Sequence, residues 1–188
     1  MRFKHYFITS NGGVTISGGE PLLQTKFLIN LFKKLKKENI HTAIDTSGMF
    51  PLTDDIKELI SLTDLFLLDI KHIDSKKCEE LVGFSNEKEL EFAKYLSDNN
   101  NKIWIRQVLI PGITDDTGDL IKLRNFITSK ILGILFIKSL KNVENVEILP
   151  YHDLGKFKWE NLGFSYDLQN IRPATSEDVN KAKKLLEI

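Results

Sequence analysis

The amino-acid sequence predicts an α/β fold with about five parallel strands and flanking helices. Two observations carry this prediction. Short apolar runs alternate with longer runs in which apolar residues recur every three or four positions. The run at residues 65–70 is almost uninterrupted, which is typical of a parallel strand buried on both faces. Because strands joined by helices form right-handed crossovers, one mainly parallel sheet is expected, and residues 1–188 are predicted to form a single domain.

The first half of the chain supplies three of these strands. The first is predicted at residues 14–17 and the second at residues 41–46, and residues 65–70 form the third. Pro21 suits the first turn of the helix between the first two strands, where a missing N–H costs nothing. The inner face of this helix is predicted to carry Leu23, Phe27, Leu28, Leu31, Phe32 and Leu35. Thr53 is predicted to cap the next helix.

The second half supplies two more strands, at residues 103–110 and 146–149. Asn86 and Glu89 have the spacing of a capping box that opens a helix. Thr175 and Asp178 are predicted to open the last helix of the chain. A further helix is predicted at about residues 118–126. The apolar stretch around residues 131–137 either extends that helix or forms an extra strand. Residues 152–172 are interpreted as an ordered loop.

Composition excludes several classes of function. The 26 basic and 26 acidic residues cancel, so bulk binding to nucleic acid or to a membrane surface is not expected. The sequence contains one cysteine, Cys78, which excludes an intramolecular disulfide and suits a reducing, cytoplasmic location. The longest apolar runs are too short to cross a bilayer.

Polar residues occur at the ends of the apolar strands. They are Glu20, Asp45, Asp69, Lys71, Arg106 and His152. Because the carboxyl ends of parallel strands lie at one edge of a sheet, these side chains are expected to share a site. Any one of them could instead be a structural ion pair. Gly18 and Gly19 add a backbone open to close approach, but they match neither the Walker phosphate loop nor the dinucleotide-binding motif.

Taken together, four segments make the chain resemble the radical S-adenosylmethionine (SAM) activases of glycyl-radical enzymes. The segments are GGVTISGGEP at residues 12–21, HTAIDTSG at 41–48, DLFLLDIK at 64–71 and LPYHDLGKFKW at 149–159. The resemblance implies an incomplete (β/α) barrel of the radical SAM type whose first strand is missing. It also implies the activity, in which a reduced 4Fe-4S cluster cleaves SAM and the resulting radical removes hydrogen from a glycine of the partner. The implied partners are a glycyl-radical enzyme such as pyruvate formate-lyase and an electron donor such as flavodoxin.

The resemblance also implies roles for individual residues. Gly18, Gly19 and Glu20 belong to the motif that holds the methionine amino group, which Asp69 would also meet. Lys71 and Arg106 would meet the methionine carboxylate or the ribose, and Leu149 and His152 would flank the nucleoside. The residues expected around a monovalent cation are Asp45, Thr46, Leu67 and Asp69. No residue is expected to act as a catalytic acid or base.

One departure from the family pattern is clear. A radical SAM cluster is held by three cysteines spaced Cys-x3-Cys-x2-Cys, and this sequence has only Cys78, which is expected to be structural. The chain is therefore expected to be a shortened activase that is inactive alone. It could be the product of a shortened gene or a fragment of a longer protein. Because the first barrel strand is missing, the strand at residues 14–17 is expected to have an exposed edge, through which copies of the chain self-associate.

Three alternatives remain open at this point. The chain could serve another glycyl-radical enzyme, or it could be a non-catalytic module that binds SAM or a partner. It could also be an unrelated barrel enzyme, dependent on a metal or phosphate, that gathers Asp45, Asp69, Lys71 and His152. Divalent-metal dependence without SAM binding would favour the last of these.

Overall fold

The fold is built on one five-stranded parallel sheet. The computed structural model describes residues 4–10, 12–128 and 140–188, so the apolar residues 131–137 lie outside the described part. The strands lie in the order β1 to β5, each hydrogen-bonded to the next. Their bounds are β1 Gly13–Ile16, β2 His41–Thr46, β3 Leu65–Asp69, β4 Lys102–Leu109 and β5 Val143–Pro150. The predicted parallel α/β architecture is confirmed, and the described sheet is open, as expected of an incomplete barrel.

Helices precede, connect and follow the strands. They are α1 Lys4–Ser10, α2 Thr25–Lys37, α3 Asp54–Ser61, α4 Ser75–Val82, α5 Glu87–Asp98, α6 Thr117–Ile127, α7 Lys156–Asn161 and α8 Ser176–Leu186. A 3-10 turn, Pro21–Gln24, precedes α2. Within the described ranges, the helices are too short or too polar to cross a bilayer.

The two faces of the sheet differ in burial. On one face the helices cover a core that includes Ile44, Phe66, Leu68 and Ile105, all fully buried. On the other face, side chains such as Leu67 are only partly covered. The prediction that residues 65–70 are buried on both faces is therefore wrong. Burial alternates along β3 because the helices pack against only one side of the described sheet.

The inner face of α2 is narrower than predicted. Leu28, Phe32 and Leu35 are buried as expected, but Leu23 and Phe27 are 73% and 60% exposed. A helix turns about 100° per residue, so Phe27 lies roughly 140° around the axis from Phe32. Leu23 lies before α2, in the 3-10 turn Pro21–Gln24. Only the arc centred on Phe32 reaches the sheet, and the prediction for these two residues is wrong.

A capping box opens the last helix, where Thr175 and Asp178 were predicted to begin it, but the box predicted at Asn86 and Glu89 does not form. The Thr175 hydroxyl accepts a hydrogen bond from the backbone N–H of Asp178, whose carboxylate accepts from the N–H of Thr175. Asn86 does precede α5, but its side chain makes no capping bond there. The side chains of Asn86 and Glu89 bind the loop after β3 instead.

Neither α4 nor α7 was predicted from the sequence. Asp74 opens α4 by accepting hydrogen bonds from the N–H groups of Lys76 and Lys77. The short helix α7 lies within residues 152–172, which were predicted to be loop, so that prediction is wrong for Lys156–Asn161. Its six residues are too few to show a helical period, and the surrounding glycines favour a loop.

Candidate functional site

The carboxyl edge of the sheet gathers charged side chains on its open face. Asp45 is the penultimate residue of β2 and lies beside Leu67, and Asp69 ends β3 opposite Arg106 of β4. Because residues paired across parallel strands project from the same face, the register alone brings Asp45, Asp69 and Arg106 to one side. All three are partly buried, and Lys71 follows two residues after Asp69.

Arg106 lies between the two carboxylates. Its Nε donates to Asp69 Oδ1 at 3.0 Å, and its Nη2 lies 2.9 Å from the same oxygen. Nη2 also donates to Asp45 Oδ1. Lys71 Nζ donates to the second oxygen of Asp69 at 2.9 Å. The cluster therefore contains two carboxylates and two cations in direct contact.

The balance of charge in this cluster affects Asp45. Burial raises the pKa of the Asp45 carboxyl, the neighbouring Asp69 carboxylate raises it further, and the Arg106 guanidinium opposes both effects. Arg106 is therefore the cation that offsets the negative charge of both carboxylates, while Lys71 contacts Asp69 alone. A ligand with one ammonium and one carboxylate could exchange partners with the same four side chains, which makes the cluster complementary to a zwitterionic amino acid.

Glu20 joins the ends of β1 and β2. Its Oε1 accepts from the Thr46 hydroxyl at 2.6 Å and from the Leu22 N–H at 3.1 Å. Its Oε2 accepts from the N–H and the hydroxyl of Ser47, at 3.0 and 2.8 Å. Both oxygens are thus engaged by the protein itself. The structure therefore places Glu20 as a support for the turn after β2.

The Gly18-Gly19 turn is open. The two glycines have φ values of 90° and 45°, which side chains rarely tolerate. A Cβ built on either would meet no atom within 4 Å in the described part of the chain. Their exposed peptide groups can be approached closely by a ligand, which is what the sequence motif requires of them.

The residues expected around a cation are only partly brought together. Asp45 and Leu67 are neighbours in register, and Arg106 joins Asp45 to Asp69. The Thr46 hydroxyl donates to Glu20 and accepts from the Gly48 N–H, so it is already engaged. The described residues include no group of three or more His, Cys, Asp or Glu side chains arranged to hold a metal.

An apolar cavity of about 310 Å³ adjoins the cluster. Its lining includes Asp69, Lys71, Val108 and Tyr151. The Tyr151 hydroxyl lies 2.8 Å from that of Tyr166, and burial raises the Tyr151 pKa to about 12. A flat apolar group attached to a zwitterion would fit such a combination of charged edge and apolar cavity.

The two remaining residues predicted at the site, Leu149 and His152, lie on either side of Tyr151 in the sequence, and Tyr151 lines the cavity. Leu149 pairs with Val108 across β4 and β5 and is partly buried. His152 follows Tyr151 and is exposed. The topology thus brings them to the end of β5, at the same edge of the sheet as the charged cluster.

Sequence reasoning missed that His72 and Glu89 are buried and support the loop after β3. His72 is buried; its Nδ1 accepts from the Asp74 N–H at 3.0 Å and its Nε2 lies 3.3 Å from the carbonyl oxygen of Ile113. Glu89 is fully buried. A signal for Glu89 was available, because it occupies the apolar face of α5 with Phe92, Ala93 and Leu96.

The chain does not fit an iron–sulfur cluster. Its one cysteine, Cys78, is buried in α4. Burial raises the pKa of its thiol to about 11, and the nearby Glu89 carboxyl adds to this rise. A single protonated thiol cannot replace the three thiolates that a 4Fe-4S cluster requires.

Comparisons with known proteins agree with the motifs. The family model described as the radical SAM superfamily matches residues 4–124. A pyruvate formate-lyase-activating enzyme of Staphylococcus epidermidis is 51% identical over 97% of this chain and 70% of its own length. The Staphylococcus aureus protein of the same name is 48% identical with the same coverage.

A solved structure agrees with the fold. A domain of the pyruvate-formate lyase-activating enzyme from Bacteroides vulgatus superposes with a TM-score of 0.73. The superposition covers 94% of this chain and 93% of that domain, at 24% identity. At that identity the match supports the architecture, while the Staphylococcus sequences support the family.

Proposed function

The chain belongs to the radical SAM superfamily and, within it, to the pyruvate formate-lyase-activating enzymes, and we propose that it binds SAM at the carboxyl edge of its sheet. The observation that carries this proposal is the cluster of Asp45, Asp69, Lys71 and Arg106 beside an apolar cavity. The cluster complements the methionine ammonium and carboxylate, and the cavity suits the nucleoside.

In this proposal each residue has a binding role. The Gly18-Gly19 backbone and Asp69 meet the methionine ammonium, while Lys71 and Arg106 meet its carboxylate or the ribose. Leu149 and His152 flank the nucleoside. Glu20 acts indirectly, because its carboxylate holds Ser47 in the turn after β2. These contacts orient the ligand, and orientation alone can contribute heavily to rate.

The ion pairs must rearrange when the ligand binds. Asp69 already accepts from both Arg106 and Lys71, so an incoming ammonium would exchange with one of them. The displaced cation would be free to pair with the ligand carboxylate. We include a monovalent cation near Asp45, Thr46, Leu67 and Asp69 in the proposal, as a second way to neutralise the two acids once Arg106 turns to the ligand.

The wider reaction also belongs to this proposal. In the complete reaction, one electron from a reduced 4Fe-4S cluster held outside these residues would cleave SAM to methionine and a 5′-deoxyadenosyl radical. That radical would take a hydrogen atom from a glycine of a partner such as pyruvate formate-lyase, giving 5′-deoxyadenosine and a glycyl radical, and the residues of this chain would bind and orient the SAM. The electron donor would be a protein such as flavodoxin, in the cytoplasm. Because this chain has one cysteine, it is expected to bind SAM without cleaving it by itself. Activation of another glycyl-radical enzyme would use the same residues.

Calorimetric titration of the purified chain with SAM tests the binding site. Asp69→Asn should weaken binding by about tenfold or more, because a hydrogen bond to a charged group contributes about 1.5–3 kcal/mol. Asp98→Asn is the matched control, since Asp98 is exposed at the end of α5. No SAM binding by the unmodified chain, or equal binding by both variants, would refute the proposed site.

A separate assay addresses cleavage. The chain is supplied anaerobically with iron, sulfide and reductant, and 5′-deoxyadenosine is measured. SAM binding without product would support a chain that binds SAM but holds no cluster by itself. Product above a buffer control would contradict the conclusion that Cys78 cannot support a cluster.

A further inference from the structure

The loop after β3 is held by the first turn of α5. Lys71 lies in this loop, and its backbone N–H donates to Glu89 Oε1 at 2.7 Å. Asn86 Nδ2 donates to the carbonyl oxygens of His72 and Ile73, both at 2.8 Å. Three consecutive residues of the loop are thus bound by two side chains one helical turn apart.

Both side chains are deeply buried. Asn86 is 3% exposed and Glu89 is fully buried. The second carboxyl oxygen of Glu89 has no hydrogen-bond partner in the described part of the chain. The charged or titratable groups that act on Glu89 are Lys71 and Asp69 at the end of β3 and Cys78 on α4. A buried carboxyl with an unsatisfied oxygen is costly, so its position calls for an explanation.

Capping of α5 does not explain this arrangement. Asn86 and Glu89 have the residue types and spacing of a capping box, yet Asn86 makes no side-chain capping bond. Glu89 directs its bonded oxygen to Lys71, 18 positions away in sequence. The hydrogen bonds therefore stabilise the loop rather than the helix end.

We propose that Glu89, together with Asn86, is a positioning residue that fixes the backbone of Lys71 and so aims the Lys71 ammonium at the SAM site. This inference rests on the proposed function. Lys71 has a flexible side chain whose Nζ lies 2.9 Å from Asp69 Oδ2. Fixing its backbone restricts where the ammonium can reach, and small misplacements at a binding site are costly.

The test compares three variants by two measurements. Glu89→Ala removes the acceptor, while Glu89→Gln keeps an oxygen acceptor of the same size. Glu91→Ala is the control, because Glu91 is exposed on the same helix. NMR measures hydrogen exchange at the Lys71 amide, and calorimetry measures the affinity for SAM.

Glu89→Ala should speed Lys71 amide exchange by about tenfold or more and weaken SAM binding by about tenfold. Amides in the core strands should keep their protection, which separates this effect from general unfolding. Glu89→Gln should restore both properties, and Glu91→Ala should change neither. Unchanged Lys71 exchange in Glu89→Ala would overturn the inference. So would faster exchange with unchanged affinity.

The same experiment separates this inference from the proposed function. If the unmodified chain binds no SAM, the proposed function fails and the aiming role fails with it. If the unmodified chain binds SAM and Glu89→Ala binds it equally well, only the positioning role fails.

Discussion

Glu89 shows how far one residue can depart from its ordinary chemistry. Burial raises the pKa of its carboxyl to about 8 from an ordinary value of 4.5, against the effect of the Lys71 N–H that it accepts. The folded chain therefore keeps this group protonated at neutral pH, whereas the unfolded chain ionises it. Unfolding releases a proton between these two pKa values, so the contribution of Glu89 to stability falls as pH rises through that range.

Glu89→Gln should remove this pH dependence. Glutamine resembles the protonated carboxyl and cannot ionise, so the variant should gain stability relative to the unmodified chain from pH 5.5 to pH 8. The gain should be at most about 1.4 kcal/mol per pH unit. Urea unfolding of both proteins across this range measures it. Parallel stability curves would show that Glu89 does not have a raised pKa in the folded protein.

Arg106 should be important for the stability of the folded protein. Arg106→Met would leave Asp45 and Asp69 close together and partly buried without their shared guanidinium. The expected cost is about 2 kcal/mol at pH 7, below the range for a fully buried pair because the site is partly open. The cost should shrink as the pH falls, because burial raises the pKa of the Asp45 carboxyl and its protonation removes the repulsion.

Lys102→Met is the control for Arg106→Met. Lys102 lies on the same strand, but its pair with Glu144 is exposed. Urea unfolding should show little change for this variant at pH 7 or below. A pH-independent loss in Arg106→Met would point to lost packing rather than to repulsion between the two acids.

At the scale of elements, the turn after β2 depends on Gly48. Its φ is 67°, and a Cβ at this position would lie 2.8 Å from Leu68 Cδ1 and 3.1 Å from the Phe92 ring. The adjoining residues Thr46 and Ser47 bind Glu20. The same turn therefore needs both a left-handed backbone and the absence of a side chain.

Gly48→Ala should destabilise the protein by about 2–4 kcal/mol, because backbone strain and overpacking add. Gly83→Ala is the matched control: its φ is 82°, but a Cβ there would meet no described atom within 4 Å. It should cost about 1 kcal/mol, from the left-handed backbone alone. Urea unfolding compares the two variants, and equal losses would contradict the packing argument.

Local sequence signals predicted some elements well and others poorly. Thr175 and Asp178 form their capping box because both partners lie within one turn. Asn86 and Glu89 carry the same signal, but tertiary bonds to the loop after β3 replace it. Spacing along a chain reports which local bonds are possible, and it cannot report a distant backbone group that offers a better partner.

In the candidate site, too, the sequence predicted the placement of some residues but not all of their contacts. Placement of Asp45, Asp69 and Arg106 on one edge follows from strand topology, which the apolar pattern predicts. The role of Glu20 did not follow, because its partners Thr46 and Ser47 lie on another strand end. A motif identifies the residues of a site, whereas the contacts of each side chain are set by the folded chain.

At the scale of the whole molecule, the open sheet has an exposed edge at β1. In the described part of the chain β1 pairs with β2 and with no other strand. Thr15, at its centre, is exposed. Unpaired backbone groups on an edge strand can pair with the same edge of a second copy. The chain is therefore expected to self-associate as its concentration rises.

Light scattering over a concentration series tests this expectation, and the average mass should increase with concentration. Thr15→Lys should reduce the increase, because an edge lysine places like charges against each other when two copies pair. Ser165→Lys adds the same charge in an exposed loop and should leave association unchanged. If the unmodified chain keeps the monomer mass throughout, the β1 edge does not pair in solution. If both lysine variants reduce association equally, net charge rather than the edge controls it.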